Sequence, residues 1–284
     1  MALVAAAVCA VALLFYLFHS LVGRRRGLPP GPTPLPLFGH LLHLDRSRIG
    51  DSISELGRPY GPVFTLFLPA PVVVLNDYES IHKTMVKQAA AFAARPTRTA
   101  GSDGSTEMAE GGAEEAPHVF NHWQLLTSCG ERWDKRLLPY TSALINELLR
   151  ISNIVPINIE RATSTRSANV IGFQLPLGTQ VLPQVGAVLM DPQVFPQPSE
   201  FRPERFLDAH GKLVHVEELI PFSLGKRACL GETMTRMELH AFLPTLLQRF
   251  HLLPRHPDHP LPTLEPRLGA IQSPQPFKCR LVPV

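Results

Sequence analysis

The chain has 284 residues, of which 45% are hydrophobic, and a formal net charge of +3. That length accommodates one large domain or two small ones. So small a charge, without a long basic run, gives no indication of nucleic-acid binding. The four cysteines form no CxxC pair and match no zinc spacing, which argues against a disulfide scaffold and fits a reducing compartment. They are Cys9, Cys129, Cys229 and Cys279.

An apolar segment at residues 1–23 predicts a transmembrane anchor. Residues 2–18 contain no charged side chain, and an apolar run of about 20 residues crosses a bilayer as a helix. Three arginines at residues 24–26 predict, by the positive-inside rule, that the following chain is cytoplasmic. A cleaved signal peptide is the alternative, but its basic residues precede a shorter apolar core. Residues 24–38 are basic and proline-rich, which predicts a stiff hinge.

Residues 39–96 predict a small N-terminal β/α part. Alternating apolar residues over positions 64–68 predict a strand, and residues 71–75 predict a second strand that pairs with it as a hairpin. Apolar residues at helical spacing predict a helix over residues 78–92. The next segment, residues 97–128, is rich in Gly, Ser, Ala and Glu, which is typical of a flexible loop.

Residues 129–284 form the predicted C-terminal part. Helices are predicted over residues 138–151, 185–190 and 232–250. In the last of these, Pro244 is expected to kink the helix or to end its regular part. A hairpin is predicted over residues 169–181 with its turn at residues 176–178, and short strands are predicted in the tail.

A glycine-bracketed cysteine immediately ahead of the last predicted helix is the most specific motif in the chain. Residues 221–232 are Pro-Phe-Ser-Leu-Gly-Lys-Arg-Ala-Cys-Leu-Gly-Glu. A cysteine at a helix N-terminus lies at the positive end of the helix dipole, which suits a thiolate ligand. Gly225 permits a tight turn, and Gly231 leaves room beside the sulfur of Cys229. The alternative is a surface loop with an incidental cysteine.

Two further side chains of this loop have a use if the cysteine ligates a haem iron. Arg227 offers a fixed cation for a propionate, and Phe222 packs beside the sulfur and keeps water away. Residues 222–231 contain the complete pattern Phe-x-x-Gly-x-Arg-x-Cys-x-Gly. This pattern resembles the signature of the cytochrome P450 family. The resemblance implies haem b as the cofactor, with an axial thiolate from Cys229 to the iron.

A second motif resembles the Glu-x-x-Arg signature of the same family. Glu147 and Arg150 are three residues apart, which places both charges on one face of a helix. Residues 203–206, Pro-Glu-Arg-Phe, resemble the family's downstream segment, whose arginine joins that pair. By resemblance, Glu147, Arg150 and Arg205 form a structural triad beneath the haem. Taken alone, such charges are usually a solvated pair.

Two more residues resemble partners of the haem propionates. Arg161 resembles an arginine that the family places after the Glu-x-x-Arg helix, and the alternative is a surface arginine. Trp133 resembles a tryptophan that the family follows with an arginine four residues later. Here Arg136 follows three residues after Trp133, and Leu137 occupies the next position. A packing tryptophan is therefore the alternative for Trp133.

The spacing of these motifs predicts a missing segment. Trp133 and Glu147 are 14 residues apart, whereas the family separates the corresponding residues by most of the protein. We therefore expect an excision near Lys135 and Arg136. The predicted fold class is mainly α with small β-sheets, an incomplete cytochrome P450 fold that lacks most of the central helical bundle. Because the oxygen-activating helix belongs to that bundle, no residue of this chain is assigned a catalytic role.

The resemblance implies a haem-thiolate monooxygenase that inserts oxygen into an apolar organic substrate with electrons from an NADPH-dependent cytochrome reductase. It also implies the endoplasmic reticulum membrane, with a single N-terminal anchor and a cytoplasmic globular part. We expect a shortened form with little or no activity, because oxygen activation needs positioned proton donors and a dry cavity. The alternatives are a non-enzymatic, membrane-anchored remnant that binds haem weakly or binds protein partners, and an apo-protein without a stable fold.

Overall fold

The computed structural model describes residues 11–13, 15, 27–35, 37–45, 48–68, 70–94, 138–165, 168–256, 258, 263, 265–267 and 271–284. Its α-helices are α1 (Ile49–Gly57), α2 (Tyr78–His82), α3 (Pro139–Ser152), α4 (Val185–Leu189) and α5 (Glu232–Arg249). A π turn, Lys83–Lys87, continues α2. Single 3-10 turns lie at Leu41–His43, Arg58–Tyr60, Pro203–Phe206 and Gly225–Arg227.

The described residues also form short strands in three small sheets. The strands are β1 (Val63–Leu68), β2 (Ala70–Leu75), β3 (Arg161–Ala162), β4 (Asn169–Val170), β5 (Phe173–Gln174), β6 (Gln180–Pro183), β7 (Phe250–Pro254) and β8 (Cys279–Pro283). The largest sheet has the order β1-β2-β6-β3, and only β2 and β6 run parallel in it. The pairs β4-β5 and β7-β8 are antiparallel. Helices with small β-sheets are as the sequence predicts.

The largest sheet has apolar clusters on both faces. Val73 of β2 belongs to the cluster that includes Ile81 of α2. Its neighbour Val74 belongs to the opposite cluster, with Ile53 of α1. Because both faces are covered, the strands carry apolar residues at successive positions rather than only at alternate ones. The predicted hairpin of β1 and β2 is confirmed by their antiparallel pairing.

The outer edge of strand β1 is covered by the proline-rich segment that precedes it. The Thr65 amide donates to the carbonyl of Pro30 at 2.9 Å, and the Thr65 hydroxyl donates to the carbonyl of Pro29 at 2.8 Å. Further along, the Phe67 amide donates to Nδ1 of buried His40 at 2.9 Å, and the His40 amide donates to the Phe67 carbonyl at 2.9 Å. The segment therefore satisfies the edge as a further strand would.

The hairpin predicted over residues 169–181 is wrong in its pairing. Strand β4 pairs with β5 and turns at Ile171 and Gly172, whose φ angles are 44° and 89°. Positive φ at both central residues is the type I′ arrangement that two-residue hairpins prefer. Strand β6 instead joins the largest sheet between β2 and β3. The expected turn at residues 176–178 therefore connects two different sheets.

The helix predicted over residues 78–92 is shorter than expected. Regular α-helix ends at His82, and the π turn ends at Lys87. The next side chain gives the reason. Gln88 donates from Nε2 to the Asn169 carbonyl at 2.6 Å and accepts from the Asn169 amide at 3.2 Å. This bidentate contact with β4 draws the chain out of the helix.

Helix α5 runs through its internal proline. It continues to Arg249, so Pro244 does not end it. Over the 18 residues of this fully described helix, only Pro244 is buried. Several large apolar side chains of α5, among them Met234, Phe242 and Leu247, are exposed to solvent.

Three predictions concern segments outside the described residues. These are the anchor at residues 1–23, of which only a few positions are described, the loop at residues 97–128, and the excision near Lys135 and Arg136. Within the part of the chain that the structure describes, we find no helix with the length and apolar character needed to cross a bilayer.

Replacing His40 with leucine is expected to destabilise the fold by about 1–3 kcal/mol, because the buried Phe67 amide loses its acceptor. Phe67 is 1% exposed. Denaturant unfolding of the purified full chain measures this loss. His43→Leu is the matched control, since His43 is exposed on the same turn, and its expected loss is below ~0.5 kcal/mol. Equal losses for both variants would contradict the role of His40.

Candidate functional site

Cys229 lies in a closed loop immediately before helix α5. The Cys229 amide donates to the carbonyl of Phe222 at 2.9 Å, and inside the loop the Ala228 amide donates to the carbonyl of Gly225 at 3.0 Å. Gly231 is the N-cap residue of α5. The Cys229 side chain is an exposed, free cysteine. The loop, residues 222–229, therefore presents a thiol to solvent at the start of a long helix.

Gly225 is required by its conformation and by its neighbour. Its φ angle is +80°, and a Cβ at this position would lie 2.0 Å from the carbonyl oxygen of Met85. Because the obstructing atom belongs to the backbone, a side-chain rotation cannot relieve the clash. Met85 lies in the π turn after α2, and such turns are frequent at functional sites. The cysteine loop therefore rests directly on this turn.

The surroundings of the sulfur atom fit a large ligand that approaches from the solvent side. A Cβ at Gly231 would lie 3.8 Å from Sγ of Cys229, so a larger side chain there would cover the sulfur. The neighbouring Leu230 is fully exposed. A sulfur donor with an open approach suits the iron of a haem, which thiolate ligates from one side.

The two arginines predicted to bind propionates meet at the cysteine loop. Arg227 is exposed, and its Nε donates to the carbonyl of Ala93 at 2.9 Å. Arg161 in β3 is 3% exposed, and its Nη2 donates to the carbonyl of Arg227 at 3.1 Å. These bonds connect the loop with the segment after α2 and with the largest sheet. Contact of either arginine with a propionate stays a prediction.

Phe222 lies against an arginine that the sequence did not single out. The guanidinium of Arg236 lies over the Phe222 ring, 5.4 Å from its centroid. Arg236 also donates from Nε to Glu232 at 2.9 Å and from Nη1 to Oδ1 of Asn146 at 3.1 Å. The four-residue spacing of Glu232 and Arg236 is the signal that could have found this pair.

The residues of the predicted structural triad are brought together in the interior. Arg150 donates from Nε and Nη2 to the two carboxylate oxygens of Glu147, at 2.7 and 2.8 Å. Arg205 donates from Nε to Oε1 of Glu147 at 3.1 Å. Glu147 and Arg150 are fully buried. Such a bidentate, charge-assisted pair fixes both side chains in one geometry.

The same arginines order the irregular segment that follows α4. Arg150 donates from Nη1 to the carbonyl of Leu189 at 2.9 Å and from Nη2 to that of Pro198 at 2.8 Å. Arg205 donates from Nη1 to the carbonyl of Pro196 at 2.9 Å. Carbonyls in such a segment have no sheet or helix partner, so the guanidinium groups satisfy them.

An open cleft of ≈ 410 Å³ lies between α2 and the cysteine loop. Tyr78 and Val86 line one side, and Phe222 and Leu224 line the other. Burial, and then the carboxylate of Glu217, raise the pKa of Tyr78. The Tyr78 hydroxyl donates to Oε2 of Glu217 at 3.4 Å. The phenol therefore remains a neutral hydrogen-bond donor at physiological pH.

Trp133, predicted as a propionate partner, lies outside the described residues. Met85 and Ala93 contact the cysteine loop through backbone oxygens, and no side-chain pattern in the sequence marks them.

The site thus has an exposed cysteine ahead of a helix, arginines around it and the buried Glu147–Arg150 pair. Comparison of the sequence with known families points in the same direction. The cytochrome P450 family profile matches residues 29–128 and 114–281. The chain belongs to the cytochrome P450 family. Cytochromes P450 ligate haem iron through a cysteine thiolate, which favours cleavage of the O–O bond.

Individual relatives place this cytochrome P450 among the family-2-like members. Cytochrome P450 2D28 of Mesocricetus auratus is 42% identical over 158 residues, which cover 54% of this chain and 30% of that protein. Cytochrome P450 2S1 of Homo sapiens is 42% identical over 151 residues, covering 53% and 30%. A 3-ketosteroid oxygenase of Caenorhabditis elegans is 41% identical over 144 residues, covering 50% and 25%. The chain thus spans less than a third of the relatives it matches.

Glu147→Gln is expected to lower the free energy of unfolding by about 3–5 kcal/mol, because it leaves the buried Arg150 charge without a countercharge. Denaturant unfolding of the full chain measures this. Glu55→Gln is the matched control, since Glu55 is exposed on α1, and its expected change is below ~0.5 kcal/mol. A loss below ~1 kcal/mol for Glu147→Gln would show that the ion pair is not needed.

Gly225→Ala is expected to cost at least ~1 kcal/mol more than Gly178→Ala, because only the first meets an obstructing backbone atom. Gly178 has a φ of +78° and nothing within 4 Å of an added Cβ, so it isolates the cost of the left-handed conformation. The measurement is the difference in the free energy of unfolding between the two variants. Equal losses for the two variants would show that the Met85 backbone moves away from the added methyl group at little cost in free energy.

Proposed function

We propose that Cys229 is the axial thiolate ligand of haem b, and that the chain is a shortened haem-thiolate monooxygenase with little or no turnover. The observation that carries the proposal is the exposed sulfur of Cys229 at the start of α5, on a loop that backbone contacts fix in place. Membership of the cytochrome P450 family supports it, because this family ligates haem through cysteine.

The residues around the sulfur have distinct parts in this proposal. Cys229 supplies the ligand atom, and Gly231 leaves it open. Exposed Arg227 offers a cation to a propionate, and buried Arg161 supports the Arg227 carbonyl. Phe222 limits the access of water on one side of the loop. When bound, the haem supplies the oxygen chemistry of the family.

The low turnover is inferred from the spacing of the motifs. Trp133 and Glu147 are 14 residues apart, which leaves no room for the central helical bundle or its oxygen-activating helix. The family profile matches in two overlapping segments, residues 29–128 and 114–281, rather than in one continuous match, and this is in keeping with an altered family sequence. Proton delivery by positioned groups contributes about 10²–10⁴-fold to such reactions. We therefore expect turnover at least about a hundredfold below that of an uninterrupted relative.

The exposure of helix α5 supports the same inference. Met234 and Met237 are three residues apart, which places them on one face of the helix, and Leu230, just ahead of the helix, is fully exposed. Met234 and Met237 are 42% and 38% exposed. A complete helical domain would be expected to cover large apolar side chains that are exposed in this way.

These exposed side chains also motivate the alternative function, a non-enzymatic membrane-anchored remnant that binds haem weakly or binds protein partners, because exposed apolar patches commonly mark binding surfaces. The division into an anchor (residues 1–23), a hinge (24–38), an N-terminal part (39–96), a loop (97–128) and a haem-binding part (129–284) belongs to this proposal. So do the endoplasmic reticulum membrane as location, with the bilayer and an NADPH-dependent cytochrome reductase as partners.

The decisive test is a reduced, carbon-monoxide-bound difference spectrum of the detergent-solubilised chain reconstituted with haem. We expect the red-shifted band of thiolate ligation, and we expect Cys229→Ala to abolish it. Cys279→Ala is the matched control, since Cys279 is also an exposed, free cysteine, and it should leave the band unchanged.

Three results would count against the proposal. An unchanged band in Cys229→Ala would refute the ligand assignment. Absence of any band in the parent chain would favour an apo-protein. Substrate oxidation with reductase at the rate of an uninterrupted relative would refute the low turnover.

A further inference from the structure

Arg236 contacts the cysteine loop, the first turn of its own helix and the distant helix α3. Its guanidinium lies 5.4 Å from the ring centroid of Phe222 in the cysteine loop. It forms an ion pair with Glu232 in the first turn of α5 at 2.9 Å. It donates to Asn146 of α3 at 3.1 Å. One planar group thus contacts the cysteine loop, the helix that follows it and the helix of the buried triad.

The two residues outside α5 that Arg236 contacts, Asn146 and Phe222, are each next to groups with fixed positions. Asn146 precedes Glu147, whose carboxylate is held in the interior by Arg150. Phe222 accepts the hydrogen bond from the Cys229 amide at 2.9 Å. The contacts therefore run without interruption from the buried triad to the backbone of the cysteine.

A second contact, made by His240, also joins helices α3 and α5. His240 lies 3.2 Å from the hydroxyl of Ser142 in α3, and its other ring nitrogen lies 2.7 Å from the carbonyl of Arg236. Helices α3 and α5 are thus joined one turn further along as well. This second contact limits how far α5 can move away from Asn146.

We propose that Arg236 is a positioning residue that holds the Phe222 ring and, through it, the cysteine loop at a set position relative to helix α3. A planar guanidinium can stack on an aromatic ring while it donates to oxygens at its edge, whereas a lysine ammonium cannot do both. The consequence at the iron rests on the proposed ligation by Cys229. The consequence for the loop does not, because it concerns contacts within the chain.

The first measurement uses the haem-free full chain. In Arg236→Gln, hydrogen exchange of the Cys229 amide is expected to become about three- to fivefold faster, because the cation–π contact with Phe222 is lost. Arg236→Lys should give an intermediate rate. Arg249→Gln is the matched control, since Arg249 is exposed in the last turn of the same helix, and it should leave the rate unchanged.

The exchange rate of the Glu147 amide and the free energy of unfolding, measured on the same samples, separate a local effect on the loop from a loss of global stability. The proposal requires the Cys229 amide to exchange faster while the Glu147 amide, in the middle of α3, keeps its rate. Equal acceleration of both amides would mean that Arg236 only stabilises the fold, and this would overturn the proposal. An unchanged Cys229 rate in Arg236→Gln would overturn it too.

The second measurement uses the haem-loaded chain. Arg236→Gln should still bind haem. In its reduced, carbon-monoxide-bound difference spectrum, however, the band of thiolate-ligated haem should decrease and the band of haem without a thiolate ligand should increase. Arg236→Lys should partly restore the thiolate band. A parent chain with no thiolate band would count against the proposed function, while the exchange measurement would still decide the role of Arg236. If the parent chain shows the thiolate band and Arg236→Gln leaves this band unchanged, only the proposed effect of Arg236 on iron ligation would be refuted.

Discussion

The carboxylate of Glu147 is the charge around which the C-terminal part is organised. A buried ion pair contributes little net stability in many proteins, because desolvation offsets the attraction. Here the ion pair matters because it fixes two arginines whose remaining N–H groups form further hydrogen bonds. Arg150 and Arg205 donate to backbone carbonyls over an irregular, proline-rich segment that has no regular partners. One acidic side chain thus gives a defined course to a segment that neither helix nor sheet would order.

The sequence predicts those parts of the fold whose cause is local. The β1–β2 hairpin follows from two neighbouring apolar runs, and α3 follows from helical periodicity, so both are found where expected. The pairing of β6 depends on β2, far away along the chain, and no local pattern contains that information. The early end of the helix after α2 likewise depends on Gln88 reaching Asn169, a contact that only the folded chain creates.

The candidate site divides in the same way. The spacing of Phe222, Gly225, Arg227 and Cys229 marks the loop in the sequence, because each side chain has a chemical use. Two of the contacts that support the loop come from main-chain carbonyls, those of Met85 in the π turn and of Ala93, which any residue type could supply. Motif reading therefore locates the ligand, whereas the fold shows what keeps it in position.

The proline-rich segment before β1 has a practical consequence for anyone who shortens this protein to improve its solubility. Residues 24–38 are predicted as a stiff hinge, yet Pro30 and, just after the hinge, His40 occupy the hydrogen-bonding edge of the outermost strand. A version that begins after His40 would leave the amides of Thr65 and Phe67 open to strands of neighbouring molecules. An N-terminal deletion should therefore stop short of Pro29, because a longer deletion would expose a strand edge that promotes aggregation.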